Sequence, residues 1–248
     1  MRSRHDRDLH AASFDRAADV YDAARPDYPA EAVAWLADGV DGPALDLGAG
    51  TGKLTASLAA MGLRVTAVDP SAEMLRVLGR RLPGVEALRG TAESIPVADA
   101  SQQLVTAAQA WHWVDAARAV PEVARVLRPG GRLGLVWNDR DERVDWVRRL
   151  GELMGAGDAQ FGEDQEPALG APFGPLERHD VSWTQPLDLD GLLDLVRSRS
   201  YFITKDADTQ AAVIASVRRL HAEHPELDGA ETIELPYVTR CYRASLER

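Results

Sequence analysis

Between residues 43 and 137 the chain alternates two hydrophobic rhythms. Short apolar runs, "PALDL", "RVTAVD", "VEALRG", "QQLVTAA" and "GRLGLVW", have strand length. Most are separated by longer stretches in which apolar positions return every three or four residues, "KLTASLAAMG", "SAEMLRVLGRRL" and "VDAARAVPEVARVL". Continuous apolar runs suit strands covered on both faces, and the three-to-four spacing suits amphipathic helices. Local chemistry agrees: Gly62 ends the first helix, Ser71 caps the second, and Pro121 predicts a kink or a late start in the third. Strand, helix, strand in this order implies an α/β fold, a parallel sheet with helices on both faces and ligands at the carboxyl ends of its strands.

Beyond residue 137 the pattern is less regular. "DERVDWVRRLGELM" reads as a helix and 155–175 as a loop rich in Gly, Pro and acids. "LERHDVSWTQ" reads as a strand, "LDLDGLLDLVRSRS" and "DTQAAVIASVRRLHAEH" as helices, and "ETIELPYVTRCYRAS" as a last strand. There is no internal repeat. A length of 248 residues suits one domain with a decorated carboxyl half.

Composition narrows the partners. No run approaches the roughly 20 apolar residues that cross a bilayer, so no membrane role is expected. The start, "MRSRHDRDLH", is charged where a signal peptide needs an apolar stretch, which makes the cytosol the expected compartment. The net charge of -11 repels a phosphate backbone, so nucleic acid is not an expected substrate. The single cysteine, Cys241, has no disulfide partner and is expected as a buried, inert thiol. The pair His221 and His224 in "HAEH" falls on an expected surface helix without a third ligand, so no metal site is expected.

The candidate chemistry starts in "ALDLGAGTGKLT", where Gly48, Gly50 and Gly52 follow an apolar run. Glycine there admits positive φ and close ligand approach, and the helix behind it offers free N–H groups. A dinucleotide fingerprint would need its last glycine where Lys53 stands. A P-loop would need glycine at Leu47 and Ser or Thr at Leu54. Both phosphate readings fail.

What remains, an acid followed by three alternate glycines from Asp46 to Gly52, resembles the first motif of class I S-adenosylmethionine-dependent methyltransferases. Three further stretches extend the resemblance in the family's order: "AVDPSAEML", "GTAESIP" and "VLRPGGRLGLVW". It implies a Rossmann-like, doubly wound, seven-stranded, mostly parallel sheet with an antiparallel last strand, and S-adenosylmethionine as cofactor. By the same resemblance Asp46, Gly48, Gly50 and Gly52 form the cofactor loop, and Asp69 accepts the ribose hydroxyls with Pro70 beside it. Met74 lies against the adenine ring, whose edge is read by Glu93 or the Ala92 backbone, and Gln109 ends the fourth strand where methionine and acceptor meet.

"FDRAADVYDAARPDYP" and "AQAWHWVD" look like the small-molecule branch that includes trans-aconitate methyltransferase-like proteins. That likeness implies a flap over 1–30 with Tyr21, Arg25 and Tyr28, Arg25 meeting the cofactor carboxylate. It further implies a cofactor core over 31–137 and acceptor-side helices, loop and strands over 138–248. Trp111 and Trp113 either wall the acceptor, a small molecule, or simply pack, and 155–175 with Arg197, Arg199 and Tyr201 form its other walls, the arginines suiting an acidic acceptor or a solvated helix end. Because a sulfonium methyl is already activated, the protein's task is to hold the acceptor in line behind it, a positioning effect of several kcal/mol. His112, between the two tryptophans, is either the base that takes the acceptor's proton or a residue that packs or donates one hydrogen bond to orient it. The alternative from another class is a protein of this fold that binds the cofactor without transferring the methyl. Oligomeric state is not written in the sequence.

Overall fold

The apolar runs become strands of one sheet. The computed structural model describes residues 25–154 and 166–247, with only the backbone described at Ser200. Tyr21 and 155–165 lie outside the described residues. In chain order the elements are α1 (Ala30–Ala37), β1 (Ala44–Leu47), α2 (Lys53–Ala60), β2 (Val65–Asp69), α3 (Ala72–Arg81), β3 (Glu86–Arg89) and β4 (Gln102–Ala108). A 3-10 turn (Trp111–Trp113) leads to α4 (Ala116–Val126), β5 (Leu127–Arg140) and α5 (Asp145–Leu153). Then follow β6 (Glu177–Leu187), α6 (Leu189–Arg197), α7 (Ser200–Ile203), α8 (Ala207–Glu223) and β7 (Ile233–Ser245).

The seven strands lie in the order β3-β2-β1-β4-β5-β7-β6, helices flank the sheet, and β7 is antiparallel. β1 pairs in parallel with β2 and with β4, β2 with β3, and β4 with β5, so these five strands end on the same edge. The described chain falls into two compact units: 27–138 with 166–181 and 239–247, and 25–26 with 139–154 and 182–238.

In the first unit Val33 and Leu36 of α1, Leu54 and Leu58 of α2, Leu104, Val136 and Cys241 form one buried cluster. Each leucine so buried contributes roughly 1.5–3 kcal/mol. Helix α1 was not among the expected elements: "AEAVAWLA" is apolar around most of its surface, and Pro29 at its N-cap supplies no capping side chain. The second unit buries Trp146, Leu150, Leu192, Leu193, Phe202, Leu235 and Tyr237.

The caps follow the sequence. The Ser71 hydroxyl accepts from Met74 N–H, and Gly62, at φ 87°, follows the end of α2. Helix α4 makes no late start. The Asp115 side chain caps it by accepting from Ala117 N–H, and Pro121 sits inside the helix. The surface placement expected of the "HAEH" pair does not hold for His224, which is the C-cap of α8 and is buried, 6% exposed, with Nε2 3.3 Å from Asp145 Oδ2. Burial of Cys241 is complete and pushes its thiol pKa up to about 12.

Candidate active site

The three alternate glycines make the turn between β1 and α2, and all have left-handed φ: 71° at Gly48, 55° at Gly50 and 87° at Gly52. Their surroundings differ. A Cβ on Gly48 would stand 2.7 Å from Ala110 Cβ, and one on Gly52 would stand 2.9 Å from Leu78 Cγ. Among the described residues a Cβ on Gly50 would meet nothing within 4 Å. Gly48 therefore lets the end of β4 approach, Gly52 lets α3 approach, and Gly50 has no neighbour among the described residues where a side chain would stand.

The loop is fastened to the end of β2. Asp69, only 7% exposed, accepts from Gly50 N–H at 2.9 Å through Oδ2 and from Ser71 N–H at 2.8 Å through Oδ1. A carboxylate oxygen can accept more than one hydrogen bond, so this group is of the kind that accepts a diol. Pro70 is exposed, and its carbonyl accepts from Arg89 Nε at 3.1 Å.

Asp46 is placed behind the loop. Its side chain is fully buried and accepts from Thr55 Oγ1 at 2.6 Å and Thr106 Oγ1 at 3.1 Å. Burial pushes its pKa up to about 6, while the two hydroxyls pull it back. The carboxyl thus ties β1 to the first turn of α2 and to β4, a support of the loop and no contact surface for a ligand.

Met74 and Ala92 are buried. Glu93 Oε1 accepts from Asp115 N–H at 2.9 Å, joining the segment after β3 to the start of α4. Burial works to raise the Glu93 pKa, and the amides of Asp115 and Glu93, the Thr91 side chain and Arg118 outweigh it, so the group is held lower than usual.

At the end of β4, Gln109 has φ 53°, a left-handed conformation uncommon outside glycine and enriched at functional sites. Gln109 Nε2 donates to the Asn138 carbonyl at 3.0 Å. Asn138 Nδ2 in turn donates to the Asp27 carbonyl at 3.2 Å, and its Oδ1 accepts from Thr239 Oγ1 at 2.6 Å. Asp27 itself pairs with Lys53 Nζ at 3.1 Å, just behind the glycine loop.

His112 follows on the 3-10 turn beside buried Trp111, with the Trp113 ring 4.8 Å away at 49°. Trp137 of β5 donates through Nε1 to His112 Nδ1 at 3.3 Å. The edge-on contact of Tyr242 with Trp137, 5.9 Å between centroids, steadies the indole.

The structure therefore brings Gly48, Gly50, Asp69, Gln109 and His112 to one edge of the sheet. Tyr28 packs against the core of the first unit, and Arg25 is half-buried in the second. Arg197 is exposed and pairs with Asp194 at 2.7 Å, so it is a solvated helix end. Arg199 is buried, 7% exposed, and the Tyr201 hydroxyl donates to the Leu153 carbonyl at 3.4 Å.

An uncharacterized methyltransferase of Mycobacterium tuberculosis H37Rv is 53% identical over 249 residues, covering 98% of both chains. This chain belongs to the S-adenosylmethionine-dependent methyltransferases. The methyltransferase domain family matches residues 45–135. An uncharacterized methyltransferase-like protein of Schizosaccharomyces pombe is 33% identical, covering 92% of this chain and 93% of its own. A solved structure from Anaeromyxobacter dehalogenans, assigned as a type II methyltransferase, is 28% identical with a TM-score of 0.65, covering 90% of this chain and 97% of that one.

The residues of the methyltransferase fit its cofactor. A Cβ on Gly50 would meet nothing within 4 Å among the described residues, and Asp69, which accepts from the Gly50 N–H, is a carboxylate of the kind that accepts ribose hydroxyls. Sequence reasoning missed Thr55, Thr106, Trp137 and Asn138, which support the site. The only signal for the last two was their place in "VWND", at the end of a strand whose neighbours end in the site.

Proposed function

We propose that this methyltransferase acts on a small-molecule acceptor, an acidic one of the kind suggested by its likeness to trans-aconitate methyltransferase-like proteins, and that it works in the cytosol. The observation that carries the reading is the 3-10 turn, which places Trp111, His112 and Trp113 directly after Ala110, the residue that stands against Gly48. This aromatic edge, close to the glycine loop, suits a compact acceptor better than a polymer. The acidic chain argues against nucleic acid.

In this reading Asp69 accepts the ribose hydroxyls, with Pro70 alongside, and the Gly48–Gly52 turn carries the amino acid portion, braced from behind by Asp46. Met74, Ala92 and Glu93 border the adenine, and Gln109 stands between methionine and acceptor. Bound S-adenosylmethionine supplies a methyl group already activated by the sulfonium charge. The chain itself then needs to align the acceptor and exclude water. No helix among the described residues is long and apolar enough to cross a membrane.

The test is methyl transfer from labelled S-adenosylmethionine to matched carboxylic acids, phenols and amines, trans-aconitate among them. Label on a carboxylic acid is the expected result. Label on added protein or nucleic acid, with none on any small acceptor, would overturn the proposal.

A further inference from the structure

The hydrogen bond between Trp137 and His112 bears on the proton inventory of the site. An indole N–H only donates. His112 Nδ1, 3.3 Å from Trp137 Nε1, must therefore accept, and the neutral imidazole carries its proton on Nε2. For Nε2 to take a proton from an acceptor, the ring would first have to carry its own on Nδ1, and two N–H groups would then face each other at that distance. The indole cannot turn away cheaply: Trp137 is 1% exposed, sits within β5 and is packed edge-on against Tyr242. The backbone N–H of Gln109 is bonded to the Val136 carbonyl at 2.9 Å, which fixes the start of the His112 segment against the same strand.

The geometry points to His112 as a hydrogen-bond donor through Nε2 and not a base, with Trp137 as the positioning residue that sets its tautomer, and to an acceptor that arrives already ionised, an oxygen acid of the carboxylate class. This deepens the function proposed above and rests on it. The chemistry balances without a base. A carboxylate oxygen forms a bond to the methyl carbon as the carbon–sulfur bond breaks. The electron pair of that bond stays on sulfur, which becomes a neutral thioether, and no proton moves. The Nε2–H of His112 holds the carboxylate's second oxygen and leaves the attacking one free.

The experiment has two arms. In the first, protein labelled with 15N-histidine is saturated with S-adenosylhomocysteine at pH 7.5. Long-range 1H–15N correlation then reads the His112 tautomer, assigned by the signals lost in His112→Gln. The expected spectrum is that of a neutral ring protonated at Nε2, and Trp137→Phe should mix the two tautomers. A ring protonated at Nδ1, or at both nitrogens, in the natural protein overturns the inference even if Trp137→Phe fails to fold. Absence of S-adenosylhomocysteine binding would instead bring down the functional reading.

In the second arm the protein, methyl-labelled S-adenosylmethionine and a small-molecule cell extract are incubated, and the product is treated with alkali. A methyl ester releases its label as volatile methanol, the expected result, whereas label stable to alkali marks an ether or amine and overturns the assignment. His112→Gln, whose amide can donate from nearly the same place, should keep the transfer rate within tenfold. His112→Leu should lose more than that. Equal losses in the two variants would contradict the donor role.

Discussion

Replacing each of the alternate glycines by alanine separates what the loop needs for folding from what it needs for its ligand. Gly48, Gly50 and Gly52 all have positive φ, where a side chain costs about 1–2 kcal/mol, offset by about 0.4–1 kcal/mol from a less flexible unfolded chain. For Gly50→Ala that is the whole stability effect, a net loss of about 1 kcal/mol, since its Cβ meets nothing within 4 Å among the described residues. For Gly48→Ala the new methyl stands 2.7 Å from Ala110 Cβ, and overpacking adds about 1–3 kcal/mol. The variant should therefore lose about 2–4 kcal/mol. Gly52→Ala falls between, because the clashing Leu78 side chain can give way.

Binding should rank the first two variants differently. With the cofactor placed as proposed, the Gly50→Ala methyl would fill space that it uses, so calorimetric affinity for S-adenosylmethionine should fall at least tenfold, about 1.4 kcal/mol, in a protein that remains folded. Urea unfolding and titration calorimetry on the same samples read both quantities. Unchanged affinity in folded Gly50→Ala, or equal destabilisation of the Gly48 and Gly50 variants, would refute the reasoning.

Asp69→Ala should weaken S-adenosylmethionine binding by about 1.5–3 kcal/mol through lost charged hydrogen bonds, and unchanged calorimetric affinity would remove Asp69 from the site. Asp46 has its folded pKa raised from 3.8 to about 6, so its contribution is fully present below the lower value and is lost as pH rises through the upper one. Relative to Asp46→Asn, the natural protein should lose on the order of 2–3 kcal/mol of urea-measured stability across that window, and parallel stability curves would contradict the assignment. Cys241, buried with its thiol pushed up to about 12, should resist thiol reagents at pH 8 until the protein unfolds; rapid labelling of the folded chain would show the thiol accessible.

The core strands were legible because a parallel strand buried on both faces is a continuous apolar run, and the Gly62 and Ser71 boundaries because their chemistry is local. Strand β5 runs on to Arg140, beyond the expected end at Trp137, since "NDR" pairs through backbone with no apolar signature. Asp46 read as part of the cofactor site because it opens the glycine motif that resembles the family's. Its burial depends on Thr55 and Thr106 converging from two other elements, which spacing does not reveal. The same holds for Trp137 and His112, 25 residues apart, and for Asn138 and Thr239, 101 apart. The glycine loop and Asp69 were legible because they lie on either side of one helix, whereas the partner that sets the His112 tautomer comes from a strand on the far side of α4.

The measurement that bears most directly on the account follows a deuterated methyl group. The protein is incubated with S-adenosylmethionine carrying that methyl and with cell extract, and products are separated into small-molecule and macromolecular fractions for mass spectrometry. A small molecule heavier by one deuterated methyl, formed with the natural protein and lost with Gly50→Ala, is the result predicted here. Label confined to macromolecules, or no transfer at all by a protein that binds S-adenosylmethionine, would contradict it.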